Sequence, residues 1–359
     1  MSRSLAVIRR CLVLALGCLA LFVTGCAPQG DPPSQTTSPA PAPAVTEHDI
    51  TFTSGPDTLH GTFAVPDNAD GPLPGALIIS GSGPTDRDGN SEARPNADTN
   101  ANLARVLAQA GVASLRYDKL GSGETGHASR SPDEPVGYDV FESEMIHAYA
   151  RLASQPEIDT SRLLVVGHSE GSIFALRSTH VIDEHPPTGL ILVAPVGDRY
   201  LDLIDRQLTE RIRTAESQGA LDAPTATKWL SDTRYSVARL RAGESLPEDL
   251  PPQIEPLFNP SVAPFLRQID AMDPVRLAQQ VPSEVNSLVL WGTADSQVTE
   301  SEVDRLMTGL SNARRVDLEG ADHILRMYDD SPGAAVLDED RPFSPDVAPA
   351  VRRFLNESL

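Results

Sequence analysis

Residues 162–175 read RLLVVGHSEGSIFA. An apolar run, Leu163-Leu164-Val165-Val166, stops at Gly167, and Gly167-His168-Ser169-Glu170-Gly171 then leads into an apolar stretch compatible with a helix. A continuous apolar run of this kind marks a strand buried on both faces. Glycines on both sides of the serine permit a turn so tight that a Cβ would strike neighbouring backbone. Strand, sharp turn and helix in that order lift the Ser169 hydroxyl above the sheet edge. They also aim the free N–H groups of the next helix at whatever that hydroxyl attacks. Taken alone, G-x-S-x-G arises by chance in roughly one chain in ten of this length, since Gly is about 7 % of residues. The flanking strand and helix reduce that chance and make Ser169 a candidate nucleophile.

The pattern repeats along the chain. His48–Phe52 and Leu59–Val65 alternate around Gly55-Pro56-Asp57 and read as an antiparallel hairpin. Ala76–Ile79 is a second buried strand, ending in Ser80-Gly81-Ser82-Gly83-Pro84. Asn100–Ala110 has helical spacing before Gly111, Val112–Tyr117 reads as a strand, and Phe141–Ala153 as a helix. After the strand Leu190–Val193 the alternation lapses, and residues 198–283 are polar, charged, mostly helical in pattern and rich in proline towards their end. It resumes with the strand Ser287–Gly292, a helix near Glu300–Leu310, the strand Arg314–Leu318 and a closing helix over Val347–Leu355. Alternating β and α elements predict an α/β fold whose central sheet is mostly parallel, with helices on both faces. The core is expected in two parts, residues 47–196 and 284–359, with a helical cap inserted over residues 197–283.

A serine hydroxyl needs a base to take its proton, and a third group to hold that base in one tautomer. Asp295 follows Trp291-Gly292-Thr293-Ala294 and His323 follows the last strand, both at strand ends. Loops at the carboxyl ends of neighbouring parallel strands converge, so three distant residues can meet. Glu170 and Asp322 adjoin these positions, but adjacent residues usually point elsewhere. His168, beside the nucleophile, is expected to pack beneath the turn, with the role of base as its alternative. On the loop after Asp295 the next acid is Glu300, already in the following helix, which leaves Asp295 as the orienting group. A tetrahedral intermediate also needs donors aimed at its oxyanion. The Glu170 backbone N–H is one candidate, and the Ser82 N–H, with Gly81 as fallback, is the other.

These stretches resemble those of the α/β-hydrolases. More specifically, they resemble capped serine hydrolases related to prolyl-type aminopeptidases and bacterial carboxylesterases. The matching residues are Leu59–Thr62, Ser80–Gly89, Arg116–Gly123, Gly167–Gly171, Trp291–Asp295 and Gly320–His323. The likeness covers residues 48–196 and 284–357, with no counterpart for the cap. Where family members often carry His-Gly-X, this chain has Ser80-Gly81-Ser82. The resemblance implies Ser169 as nucleophile, His323 as general base and then acid, and Asp295 as the residue that orients it. It implies hydrolysis of carboxylic esters through an acyl-enzyme, on a small-molecule ester. A short peptide substrate, cleaved by an aminopeptidase or amidase on the same scaffold, is the alternative. A non-catalytic envelope lipoprotein that keeps the fold for binding is a third.

Composition and the N-terminus bound the remaining possibilities. A net charge of −21 argues against nucleic acid, whose phosphates it would repel. Asp86-Arg87-Asp88-Gly89-Asn90 misplaces the glycine of an EF-hand and lacks its closing glutamate, so an Arg–Asp network is expected there. No metal site and no cofactor is expected: His and Cys do not cluster, and Gly81-Ser82-Gly83 lacks the third glycine of a dinucleotide fingerprint. Trp229, Tyr235 and Phe258 are aromatic candidates for lining an acyl pocket or holding the cap together. Arg3, Arg9 and Arg10 precede an uncharged apolar run, Cys11–Val23, that is short for a permanent span. Val23-Thr24-Gly25-Cys26 resembles the lipobox of bacterial lipoproteins. Residues 1–25 are then expected to be a signal peptide, Cys26 the lipidated residue, and Pro-rich residues 26–46 a tether. The three cysteines are Cys11, Cys18 and Cys26, so cleavage would leave no pair for a disulfide. A lipid-anchored, extracytoplasmic protein follows, and the oligomeric state is left open.

Overall fold

The computed structural model of the chain describes residues 45–67, 71–331 and 334–359. Residues 1–25, Cys26 and most of the expected tether lie outside the described residues. The first strand, β1 (Val45–Ser54), begins three residues before the expected His48 and two before the expected start of the core, because Val45 and Thr46 pair with Pro66 and Val65 of β2 (Asp57–Pro66). The expected tether therefore ends inside the sheet.

Alternating elements follow: β3 (Leu73–Ile79), α1 (Thr99–Gln109), β4 (Ala113–Tyr117), α2 (Tyr138–Ala153), β5 (Ile158–His168), α3 (Gly171–Val181) and β6 (Gly189–Val193). Four helices then succeed one another without a strand: α4 (Tyr200–Ser217), α5 (Ala223–Ala242), α6 (Ala263–Asp270) and α7 (Pro274–Gln280). The chain returns to the sheet with β7 (Asn286–Gly292), α8 (Glu300–Met307), β8 (Ala313–Leu318) and α9 (Val347–Ser358). Helix α8 opens on a full capping box, with Thr299 and Glu302 each satisfying the other's backbone N–H.

The eight strands form one sheet in the order β1-β2-β4-β3-β5-β6-β7-β8. Strand β2 runs antiparallel to both its neighbours, and all pairings from β4 through β8 are parallel. Alternate side chains of the central strands enter two cores. Leu77 and Ile79 of β3, with Leu163 and Val165 of β5, pack on one face with α2, α3, α7 and α8. Ala76, Ile78, Leu164 and Val166 pack on the other, with Leu103 and Leu107 of α1 and Val351 and Phe354 of α9. This is why those strands read as unbroken apolar runs: neither face meets water. The architecture is the one expected from the sequence, a mostly parallel sheet between helices.

Strand order reverses at β3. From β3 the chain steps to β4 on one side, then crosses back to β5 on the other. The loops leaving β3 and β5 diverge there, opening a crevice at the carboxyl end of the sheet. Ser80–Pro84 and Ser169 stand on those two loops. Among the described residues no helix is long and apolar enough to cross a membrane.

Candidate active site

The turn between β5 and α3 places Ser169 at φ +53°, a left-handed backbone that costs a non-glycine residue about 1–3 kcal/mol. Its surroundings hold it there. Ser169 N–H donates to Val193 O of β6 (2.8 Å), and Ser169 O accepts from Ser172 Oγ (2.6 Å), which in turn accepts from Val196 N–H (3.1 Å). A Cβ on Gly167 would overlap the Gly171 carbonyl, and one on Gly171 would overlap Ile79 O at the end of β3. Both glycines of the motif are required by close backbone approach.

The other two candidates meet at the ends of β7 and β8. His323 Nδ1 lies 2.8 Å from Asp295 Oδ2, while Asp295 Oδ1 accepts from the N–H groups of Gln297 (2.7 Å) and Val298 (3.0 Å). Burial pushes the Asp295 carboxyl up, but His323 and these two N–H groups outweigh it, leaving it below the usual carboxylate range. An ionised Asp295 keeps the proton on Nδ1, so Nε2 is the His323 nitrogen free to take another. His168, next to Ser169, sits against this pair. Its Nε2 lies 2.9 Å from His323 O and the two rings are 4.9 Å apart. Burial, reinforced by His323, pushes the His168 imidazole down to about 3, so it is neutral and donates Nε2–H to that carbonyl. His168 thus supports the His323 loop from beneath the turn. The Ser169 hydroxyl is not hydrogen-bonded to the His323 ring among the described contacts.

The neighbouring acids are occupied elsewhere. Asp322 accepts from the N–H groups of Ile324 and Arg326 and pairs with Arg341 (2.8 Å), tying the loop to residues near the C-terminus. Asp86 Oδ1 accepts from Asp88 and Asn90 N–H, Arg116 pairs with Asp88 (2.6 Å), and Arg87 with Asp118 (3.5 Å). Among the described residues no group of three or more His, Cys, Asp or Glu side chains is placed to hold a metal ion.

A buried cluster that the sequence pattern does not reveal adjoins Ser169 through Glu170. Lys119, two residues past β4, places Nζ 2.9 Å from Glu170 Oε1 and 2.8 Å from Gly81 O. Tyr200, the first residue of α4, donates its hydroxyl to Glu170 Oε2. Lys119 and Glu170 are each 4 % exposed. The adjacency of Glu170 to the serine was visible; its partners, 51 and 30 positions away, were not. Among the described residues the N–H groups of Ser82 and Glu170 have no backbone acceptor.

A cavity of about 560 Å³ opens in front of Ser169. Ser82, Lys119, Glu170 and Tyr200 line its floor; Leu203, Leu208, Phe265 and Leu266, from α4 and α6, form much of its apolar wall. The aromatic residues singled out from sequence do not line it. Phe258 is buried in the core and Tyr235 is exposed, whereas Phe265 and Tyr200 take the lining positions. A lone aromatic in a helical segment gives no sign of which way it faces until the helix is docked.

Similarity to known proteins agrees with this architecture. The chain is 24 % identical over 283 residues to Esterase EstD of Thermotoga maritima, a match covering 78 % of this chain and 60 % of that one. The match thus spans less than two thirds of that relative's length. Among solved structures, Est1E from Butyrivibrio proteoclasticus with bound ferulic acid superposes with a TM-score of 0.56 at 17 % identity, covering 86 % of this chain and 98 % of the other. A proline iminopeptidase from Mycobacterium smegmatis gives 0.56 at 14 % identity, covering 87 % and 98 %. Residues 77–339 match the sequence profile of the alpha/beta hydrolase family. The chain belongs to that family.

Proposed function

We propose that this member of the alpha/beta hydrolase family is a serine esterase that cleaves small carboxylic esters through an acyl-enzyme. The observation that carries the reading is the buried Asp295–His323 pair at 2.8 Å, set at the same end of the sheet as the strained Ser169 on the wall of an apolar cavity. Ser169 Oγ attacks the ester carbonyl as His323 Nε2 takes its proton. The oxyanion is received by the Ser82 and Glu170 N–H groups. The alcohol leaves with the proton from His323, and water, activated by the same nitrogen, releases the acid and restores the serine. Similarity to an esterase supports the bond type.

One feature of the cavity favours an ester over a peptide with a free amino terminus. The carboxylates on its wall are Glu170, paired with Lys119, and Glu134, paired with Arg130 at 3.1 Å. Neither is free to receive an α-ammonium group. Helices α4–α7 act in this reading as a cap whose apolar side chains receive the acyl or alcohol chain.

The test is fluorophosphonate labelling of the soluble chain from residue 27, with turnover of p-nitrophenyl esters of rising chain length. Labelling and turnover, both lost in Ser169→Ala, are expected. A folded protein that neither labels nor turns over esters refutes the reading, and labelling with turnover of aminoacyl amides alone moves it to a peptidase. The proposal extends to location: Val23–Cys26 supports lipidation of Cys26 and tethering at the outer side of a bacterial membrane. Metabolic labelling with a palmitate analogue should mark the full-length chain and be lost in Cys26→Ala; an unlabelled wild type would discard the tether.

A further inference from the structure

We propose that Lys119 is a positioning residue that aligns both oxyanion donors through the buried Lys119–Glu170 ion pair, an inference that rests on the esterase reading. The Gly81 carbonyl that accepts from Lys119 Nζ belongs to the same peptide unit as the Ser82 N–H. In a trans peptide the C=O and N–H point in opposite directions, so fixing one fixes the other. Holding Gly81 O against Lys119 therefore points the Ser82 N–H away from the lysine. The ammonium also polarises that amide, which strengthens its N–H as a donor.

The second bond from the same ammonium goes to Glu170 Oε1 (2.9 Å), the side chain of the residue whose backbone N–H is the other donor. One cation thus ties the loop after β3 to the N-terminus of α3, the two segments between which an oxyanion would lie. It has a further effect on charge. An unpaired Glu170 carboxylate beside the site would oppose a developing negative oxygen in a medium of low dielectric, and Lys119 cancels it. The arrangement is fully built in: Phe174 lies beneath the ammonium with its ring centroid 5.7 Å away, and the Tyr200 hydroxyl from α4 occupies the remaining Glu170 oxygen. A cation placed only to balance a buried acid has no need of the Gly81 carbonyl. The approach is also close, since a Cβ on Gly81 would stand 3.3 Å from Ser169 Cβ.

The test separates charge balance from donor alignment. Lys119→Met alone leaves a buried carboxylate unpaired and is expected to lose stability. The informative comparison is Glu170→Gln, which keeps Lys119 on Gly81 O but leaves the ammonium without its counter-charge, against the double variant Lys119→Met/Glu170→Gln, which buries no charge there; neither leaves an unpaired carboxylate. The double variant is expected to have kcat about 10- to 100-fold below Glu170→Gln, part of the ~10²–10³ lost with a whole donor, at nearly unchanged KM. Inhibition by an alkyl trifluoromethyl ketone, whose adduct carries a tetrahedral oxyanion, should weaken by the same factor. Equal kcat and equal ketone affinity in the two variants would overturn the inference and leave the pair a structural one. Melting temperature, followed in parallel, should not track the rate. A wild type inert to both esters and fluorophosphonate would instead remove the esterase reading, and this inference with it.

Discussion

Two buried carboxyl groups, Asp295 and Glu144, meet the same loss of water and end in opposite states. Asp295, at the end of β7, accepts from two backbone N–H groups and His323 within 3.0 Å, and stays below the ordinary carboxylate range. Glu144, on α2 behind the Lys119 loop, is 0 % exposed and receives Leu120 N–H at 3.3 Å on each oxygen. Burial drives its carboxyl up to about 8, with the Leu120 N–H and the more distant Lys119 charge only partly offsetting it. Burial alone does not say whether an acid is charged. The number and closeness of donors decide, and they are concentrated at Asp295, the group proposed to hold the His323 imidazolium.

Replacing each acid with its amide should sharpen this contrast most visibly. Asp295→Asn is expected to lower kcat about 10⁴-fold through loss of the correct His323 tautomer, while Glu144→Gln should leave kcat within a few-fold. Ester turnover measures both, and a small effect at Asp295 would end its assignment.

The next effect is on stability. The folded-state pKa of Glu144 is raised above its unfolded value of 4.5, so its contribution is complete below pH 4.5 and is lost as pH climbs towards about 8. The expected loss is roughly 1.4 kcal/mol per pH unit through that window. Denaturant unfolding of Glu144→Gln should show a flatter curve between pH 4.5 and 8, and an unchanged slope would mean the group is charged in the fold.

His168 sharpens the contrast from the acid side. Its folded pKa, about 3, lies below the unfolded 6.5, so the stability it provides is present above pH 6.5 and falls as pH drops towards 3. His168→Gln should flatten that acid arm. The smallest change is expected at the cavity wall. Phe265→Ala should shift the preferred p-nitrophenyl ester towards longer chains by about 3- to 10-fold in kcat/KM. No shift would place the acyl chain elsewhere.

Much of the sheet was legible because its strands are sealed on both faces: Ala76–Ile79, Leu163–Val166 and Leu190–Val193 admit no polar residue, and each lies within an observed strand. Ends were less exact. Val45 and Thr46 looked like tether because an edge strand needs few apolar side chains, and only pairing with Val65 and Pro66 reveals them. Asp295 and His323 were readable as strand-end residues, and the structure places them in contact. The cavity wall was not readable. Trp229, Tyr235 and Phe258 stood out by residue type, whereas the orientation of α4 and α6 chose Leu203, Leu208 and Phe265.

Short-range rules suffice for the parts that depend on neighbours in the chain: the glycine-flanked turn and the buried strands follow from local sterics and hydrophobic pattern, and the order Ser, Asp, His is read directly along the chain. Lys119, Gly81, Glu170 and Tyr200 come from four separate segments, and no local rule relates them. Their ionic and hydrogen-bonding state is a property of the shared enclosure, where water is excluded and each polar group must find its partner in the fold. Tertiary structure alone decided that partnership.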